Sequence, residues 1–508
     1  MMQTSPIDVA VFVAYLTASV AIGAVFFREK ESLSEYFLAG RSMGRVVIAM
    51  TILASLFSGI SFLAGPSEGY QYGLAFFFVN LGFFVATPIT NLLILPFFYQ
   101  ARFFTAYQYL EERFSVQVRT LASASFILRV LLWLALATYA PALALEQATG
   151  LPLWFTIICT GVLTTFYTTL GGMKAVIWTD VMQLVVLFGG QLVILLTALW
   201  RVPGGLSGVV ETAQAGGRLG VDFSLDPTVR VTFWGMLLGS PFMHLVQMAT
   251  DQVSVQRYLT AKNLNEARQG LWLKLWLVLP VTAVFYGTGV ILHAYYHAHG
   301  DPLAAGKIAR ADQILPYFVV TELPRGFPGL FIAAIYAASM STISAGINSL
   351  TSATLVDFIQ RLGGRADRSE EQQLRIARGL TLFYGAVVIG LAFLMPYLGS
   401  LLEVSNSVIG LVGGPLLGLF LLGILVRRAT ARGAIVGWLA GVVVLIPVCF
   451  ATRVSFLWYA IIGCLTTVAA GTLVSLFDSP PALDPKAGLT LNDRRAHAAK
   501  ASDLDPDL

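Results

Sequence analysis

Charge is scarce in this chain: only 12% of its 508 residues are Asp, Glu, Lys or Arg, whereas 56% are hydrophobic. A soluble domain carries about a quarter charged residues, and the mean hydropathy of +0.75 points instead to a bilayer. The net charge of +4 is small, and the basic residues form no cluster of the kind that a nucleic-acid surface needs. Cysteine is scarcer still. Cys159, Cys449 and Cys464 all fall in apolar segments, which argues against a disulfide framework or a cysteine metal site. Nucleophile-elbow serine, HExxH and GxxxxGK[ST] motifs are missing as well. The chain is therefore expected not to be an enzyme, to need no cofactor, and to hold no ATP-driven engine.

Long apolar runs are what it has. A bilayer core takes about 20 apolar residues per helix. Windows of that length predict thirteen spans, near 7–27, 46–65, 74–99, 121–148, 151–170, 176–200, 231–250, 271–297, 327–356, 379–396, 400–426, 434–451 and 456–477. No basic segment precedes the first, and Arg28 and Lys30 follow it, the pattern of a retained helix rather than a cleaved signal. Of the 32 Lys and Arg residues, 24 lie in or beside the resulting inside loops and tail, 7 lie outside, and Arg129 falls within the fourth span. This bias predicts an outside N-terminus and an inside C-terminus in a multi-pass protein of the cell membrane. Residues 1–477 read as one transmembrane domain. The stretch 478–508, with Pro480, Pro481 and Pro485, reads as a disordered cytoplasmic tail.

Two spans are interrupted. The second holds Ser55, Ser58, Gly59 and Ser61 and runs into Gly65-Pro66-Ser67-Glu68-Gly69; the seventh holds Gly239-Ser240-Pro241, then His244 and Gln247. They lie five spans apart, so the two halves, approximately 46–200 and 231–426, would enter the membrane from opposite sides. Paired broken helices in two halves point to an inverted-repeat transporter with its site at mid-membrane.

Polar residues inside spans are the candidates for chemistry. The segment AASMSTISAGIN, 337–348, clusters Ser339, Ser341, Thr342 and Ser344 with small neighbours; such a face serves either helix packing or a hard cation. Asp180, near the inner end of the sixth span, is either functional or an interfacial carboxylate wetted from the cytoplasm. Arg129 either snorkels to the inner surface or pairs with an anionic substrate or an internal carboxylate. His244 fits core packing or a pocket, Asn80 a pocket or an interhelical hydrogen bond, and Glu68 a solvated loop carboxylate.

Six motifs then fall in one order: SEYFLAGRSMG (34–44), AYQYLEERF (106–114), GGMKAVIWTDVMQ (171–183), DQVSVQRYL (251–259), AASMSTISAGINS (337–349) and GLVGGPLLGLFLLGI (410–424). Together they resemble the sodium/solute symporter family. ASLFSGISFLAGPSEGYQYG (54–73) and YAPALALEQATG (139–150) are most similar to its branch for monocarboxylates, multivitamin anions and iodide. The resemblance implies an all-α protein of the leucine-transporter type, a 5+5 inverted repeat that imports a small solute with sodium by alternating access. It implies a sodium site made by the carbonyls of Ala54, Phe57 and Ala338 with the hydroxyls of Ser341 and Thr342. It gives Asp180 a part in sodium release or, with Ser344, in a second sodium site, which Ala345 weakens because it stands where another hydroxyl would be needed. Ser61, Asn80, His244, Gln247 and Met248, with Ser405 and Asn406, would line the substrate pocket. Gln247 and Met248 replace the aromatics of the sugar branch. Trp133 stands where the sialate branch has an arginine, so Arg129 could read an anion only by a different geometry.

The expected partners are sodium, a small solute and the lipid bilayer, with no nucleic acid and no obligatory protein. The preferred solute is an organic monocarboxylate or similar anion. Proline or another amino acid, pantothenate and an inorganic anion are the rivals within transport. A membrane sensor is the rival of another class; a channel is disfavoured because no filter-like loop is present.

Overall fold

Segments this apolar must satisfy their backbone groups internally in lipid, which favours helices. The computed structural model describes residues 5–25, 32–100, 103–363, 369–398, 401–481, 489–491 and 493. Among them it is helical, with a single isolated bridge between Met43 and Ala261. Nine of the described helices are long and apolar enough to cross a membrane, and one bent pair makes a tenth. Pro6–Ile22 and Leu153–Phe166 are shorter apolar helices.

The bent pair is the second predicted span. Helix α1 (Arg45–Leu56) ends at Phe57, whose backbone is extended at φ −91° and ψ 92°. Ser58 then caps helix α2 (Gly59–Tyr72), its hydroxyl accepting from the Ile60 N–H at 3.2 Å, as a serine N-cap does. The two halves meet at 66°. Helix α3 (Val116–Thr149) follows, then α4 (Leu153–Arg201), which turns at Gly172. There φ is 57°, and a Cβ would stand 3.2 Å from the Tyr36 carbonyl, so glycine is the residue that fits.

The seventh span breaks elsewhere than predicted. Chain direction is kept through Gly239-Ser240-Pro241, because a π-helical turn at Gly235–Gly239 leads into Ser240–Leu245 with proline in its first turn, where no N–H is needed. A second π-turn spans Val246–Thr250, and the break falls at Asp251, φ −84° and ψ 116°. Asp251 caps helix α5 (Gln252–Leu259) by accepting from the Val253 N–H at 3.0 Å. The predicted end at residue 250 is therefore too early. The motif DQVSVQRYL is a half-helix in which every residue from Gln252 to Leu259 is buried, and no inside loop.

Helix α6 (Leu264–His299) packs against α1 and α2, and α7 (Phe327–Ala353) lies against α3 and α4. Every residue of α7 from Phe331 to Ala353 is buried, which makes it the axis of the bundle. Most of the tail 478–508 lies outside the described residues. Part of it is held on the body: the Tyr109 hydroxyl donates to the Leu489 carbonyl at 3.0 Å, and buried Asp493 pairs with Arg427 at 3.2 Å.

Candidate functional site

The two breaks open onto one cavity of about 160 Å³. Residues 55–58 border it from one side and Asp251, Val253 and Ser254 from the other. Of the predicted pocket residues, Ser61, Asn80, His244, Gln247 and Asn406 line it. Asn80 donates from Nδ2 to the Phe77 carbonyl at 2.9 Å, so its carbonyl oxygen is the end left over. His244 contacts the Val79 carbonyl through Nε2 at 3.1 Å and stacks on Phe83, ring centres 3.5 Å apart. Met248 does not line the cavity. Neighbouring helical residues point about 100° apart; with Gln247 facing inward, Met248 is buried behind it, its sulfur 3.9 Å from Thr87 Oγ1. The side chain of Ser405 lies outside the described residues.

The predicted cation ligands gather beside the first break. Ser341 Oγ donates to the Ala54 carbonyl at 3.1 Å and to the Ala338 carbonyl at 2.9 Å; Thr342 Oγ1 donates to the Ala338 carbonyl at 3.1 Å. Phe57 is the residue at which α1 unwinds, and it borders the cavity. Oxygens around a hard cation held at about 2.4 Å sit about 3.4 Å apart, so a small spreading of this cluster would admit one. Close approach of the helices is part of the design: a Cβ on Gly59 would stand 2.1 Å from Ser339 Oγ. Ser344 turns away, donating to the Ser341 carbonyl at 3.1 Å.

Comparison with known proteins meets this geometry. The profile described as Sodium:solute symporter family matches residues 36–441. This chain belongs to the sodium:solute symporter family. It is similar to a putative sodium-dependent multivitamin transporter of Drosophila melanogaster, 39% identical over 444 residues, covering 85% of this chain and 73% of that one. Human sodium-coupled monocarboxylate transporter 1 is 38% identical, covering 85% of this chain and 72% of its own. Among solved structures, a substrate-bound, outward-open Na+-coupled sialic acid symporter superposes with a TM-score of 0.86 at 30% identity, covering 94% of this chain and 99% of that one. Mhp1, a nucleobase-cation-symport-1 family transporter, shares the fold at 17% identity and a TM-score of 0.56.

In this symporter several buried charges are paired with one another, which the sequence alone did not reveal. Arg129 is 2% exposed and reaches Asp251 at 2.7 Å. The snorkelling reading is overturned, and the internal carboxylate is its partner. Asp180 is fully buried, not wetted from the cytoplasm. Its Oδ2 accepts from Arg257 Nη2 at 2.9 Å and from the Thr51 hydroxyl, while its Oδ1 has no hydrogen-bond partner among the described residues. Thr51 lies one turn before Ala54 on α1, so the carboxylate is tied to the helix that carries the cation ligands. Glu68, expected in solvent, is 4% exposed and held by both Arg230 nitrogens at 2.6 and 2.9 Å. Asp251 and Arg257 were missed because the seventh span was ended at residue 250, before both of them. The signal was an aspartate in N-cap position directly after an apolar run.

Proposed function

We propose that this chain takes up one sodium ion together with a small organic monocarboxylate, and that sodium binds to the carbonyls of Ala54, Phe57 and Ala338 and the hydroxyls of Ser341 and Thr342. The observation that carries the reading is the position of this oxygen cluster: it sits at the helix break that also walls the cavity. Unwinding at Phe57 frees carbonyls, and a cation there ties α1 to α7. A conformation in which these helices separate loses the site, so sodium favours the state that keeps them together. Solute in the cavity, between Ser61, Asn80, His244, Gln247 and Asn406, is then linked to sodium through the shared wall. Asp180 Oδ1, left without a donor, is the oxygen offered to sodium as it departs inward. Ser344, bonded to its own backbone beside Ala345, gives no support to a second ion.

The preference for a monocarboxylate rests on the named relatives and on Gln247 and the cavity's modest size. Trp133, not an arginine, borders the cavity, which supports a solute other than sialate. We read the chain as a transporter without catalytic activity or cofactor, in the cell membrane with its N-terminus outside and its C-terminus inside. The test is thermal unfolding of the purified protein with propanoate, lactate, proline, glucose and iodide, each with sodium and with choline. A true substrate raises the melting temperature with sodium and little without it. Stabilisation by proline alone would replace the monocarboxylate reading, and stabilisation independent of sodium would remove the coupling.

A further inference from the structure

Four of the buried carboxylates are each paired with an arginine, Glu68 with Arg230, Asp180 with Arg257, Asp251 with Arg129 and Asp357 with Arg119, and buried Asp8 accepts from the Ser5 hydroxyl and the Gly326 and Gly329 N–H groups instead. Lys274 on α6 is equally buried at 0% exposure, and no ion pair is found for it among the described residues. Its Nζ stands 3.3 Å from the centre of the Phe83 ring and 3.9 Å from the Met248 sulfur. The same ring centre is 3.5 Å from that of His244, with the planes 19° apart. Two groups this near one ring centre cannot share a face, so Phe83 is held between His244 and the ammonium. Phe83 and His244 both line the cavity, as does Val278, one turn beyond Lys274.

We infer that Lys274 is a selectivity residue for monovalent anions, with the bound anion supplying the opposite charge that the protein withholds. The inference rests on the symport reading and narrows its substrate class. Arg129 borders the cavity but is neutralised by Asp251, so its pair adds little net charge to the wall. Lys274 is different. A cation–π contact compensates an ammonium only in part, and burial without a counter-charge is costly. An anion in the cavity, beyond the stacked Phe83 and His244 rings, still interacts with the ammonium in a medium of low dielectric, whereas a neutral solute of the same shape gains nothing from the charge. One lysine matches one negative charge. The shared chemistry is that of a monoanion, organic or inorganic.

The experiment measures binding to the full-length protein at saturating sodium, using propanoate, iodide and the neutral propanamide as probes. Lys274→Met is compared with wild type and with Lys274→Arg. The expected result is a Kd for the bound anion raised about tenfold, or 1.4 kcal/mol, in Lys274→Met. Propanamide binding and the sodium dependence of stability stay unchanged, and Lys274→Arg restores the preference for the anion. Unchanged anion affinity, or equal losses for anion and amide, overturns the inference. If Lys274→Met does not fold, Phe83→Leu decides: removing the ring between ammonium and cavity should tighten anion binding, and unchanged or weaker binding contradicts the inference. Wild-type binding of iodide but not propanoate would end the monocarboxylate reading and leave the role of Lys274 standing. Binding of neither would end both.

Discussion

Without Arg257, Asp180 would be an unpaired carboxylate in the driest part of the protein, and without Asp251 the same would hold for Arg129. Removing one partner of a buried pair costs about 3–5 kcal/mol, because the other charge is left uncompensated. Arg129→Gln should therefore lower the melting temperature sharply, and the double variant Arg129→Gln/Asp251→Asn should recover most of it. A single variant as stable as wild type would mean that the pair at 2.7 Å is not formed in the membrane. Asp180→Asn keeps the shape and the Thr51 contact but removes the charge offered to sodium. It should raise the sodium concentration for half-maximal uptake about tenfold, within the range of ordinary coupling energies. Normal sodium activation in a folded Asp180→Asn protein would exclude the aspartate from the sodium path.

At the scale of elements, the two breaks carry the function, and they were unequally legible. The break in the second span could be read because Ser58 and Gly59 state it locally, as an N-cap and a residue without a Cβ. The break in the seventh span was misplaced by ten residues, from Gly239-Ser240-Pro241 to Asp251. A proline after a π-turn does not interrupt the chain, whereas an aspartate cap after one does, and the local sequence does not distinguish them. Most pocket residues were legible only through the family resemblance, because polarity within an apolar span left helix packing open as well. Met248 was not, since the facing of adjacent helical residues is set by packing. The ion pairs were hidden for a simpler reason: Asp180 and Arg257 are 77 positions apart and only the fold joins them. Helix contact at the first break gives its own test. Gly59→Ala places a methyl 2.1 Å from Ser339 Oγ, so it should destabilise by about 1–3 kcal/mol. Because Ser339 Oγ makes no hydrogen bond among the described residues, Gly59→Ala/Ser339→Ala should restore part of the loss. Additive losses in that double-mutant cycle would show that the two residues are not in contact.

For the molecule as a whole, scarcity of charge and abundance of apolar runs were enough to indicate a helical membrane protein, and six ordered motifs were enough to indicate the symporter family. What composition concealed is that some of this rare charge is buried inside the bundle. Lys274, taken with the basic residues of an inside loop, lies in the core beside the cavity. The central claim is that inward sodium flow is coupled to the solute through Ala54, Ala338, Ser341 and Thr342. Sodium-driven uptake of radiolabelled propanoate into proteoliposomes, comparing wild type with Ser341→Ala/Thr342→Ala, tests it most directly. The account predicts that the double variant folds, keeps binding propanoate weakly, and loses sodium stimulation. Sodium stimulation equal to wild type would contradict it.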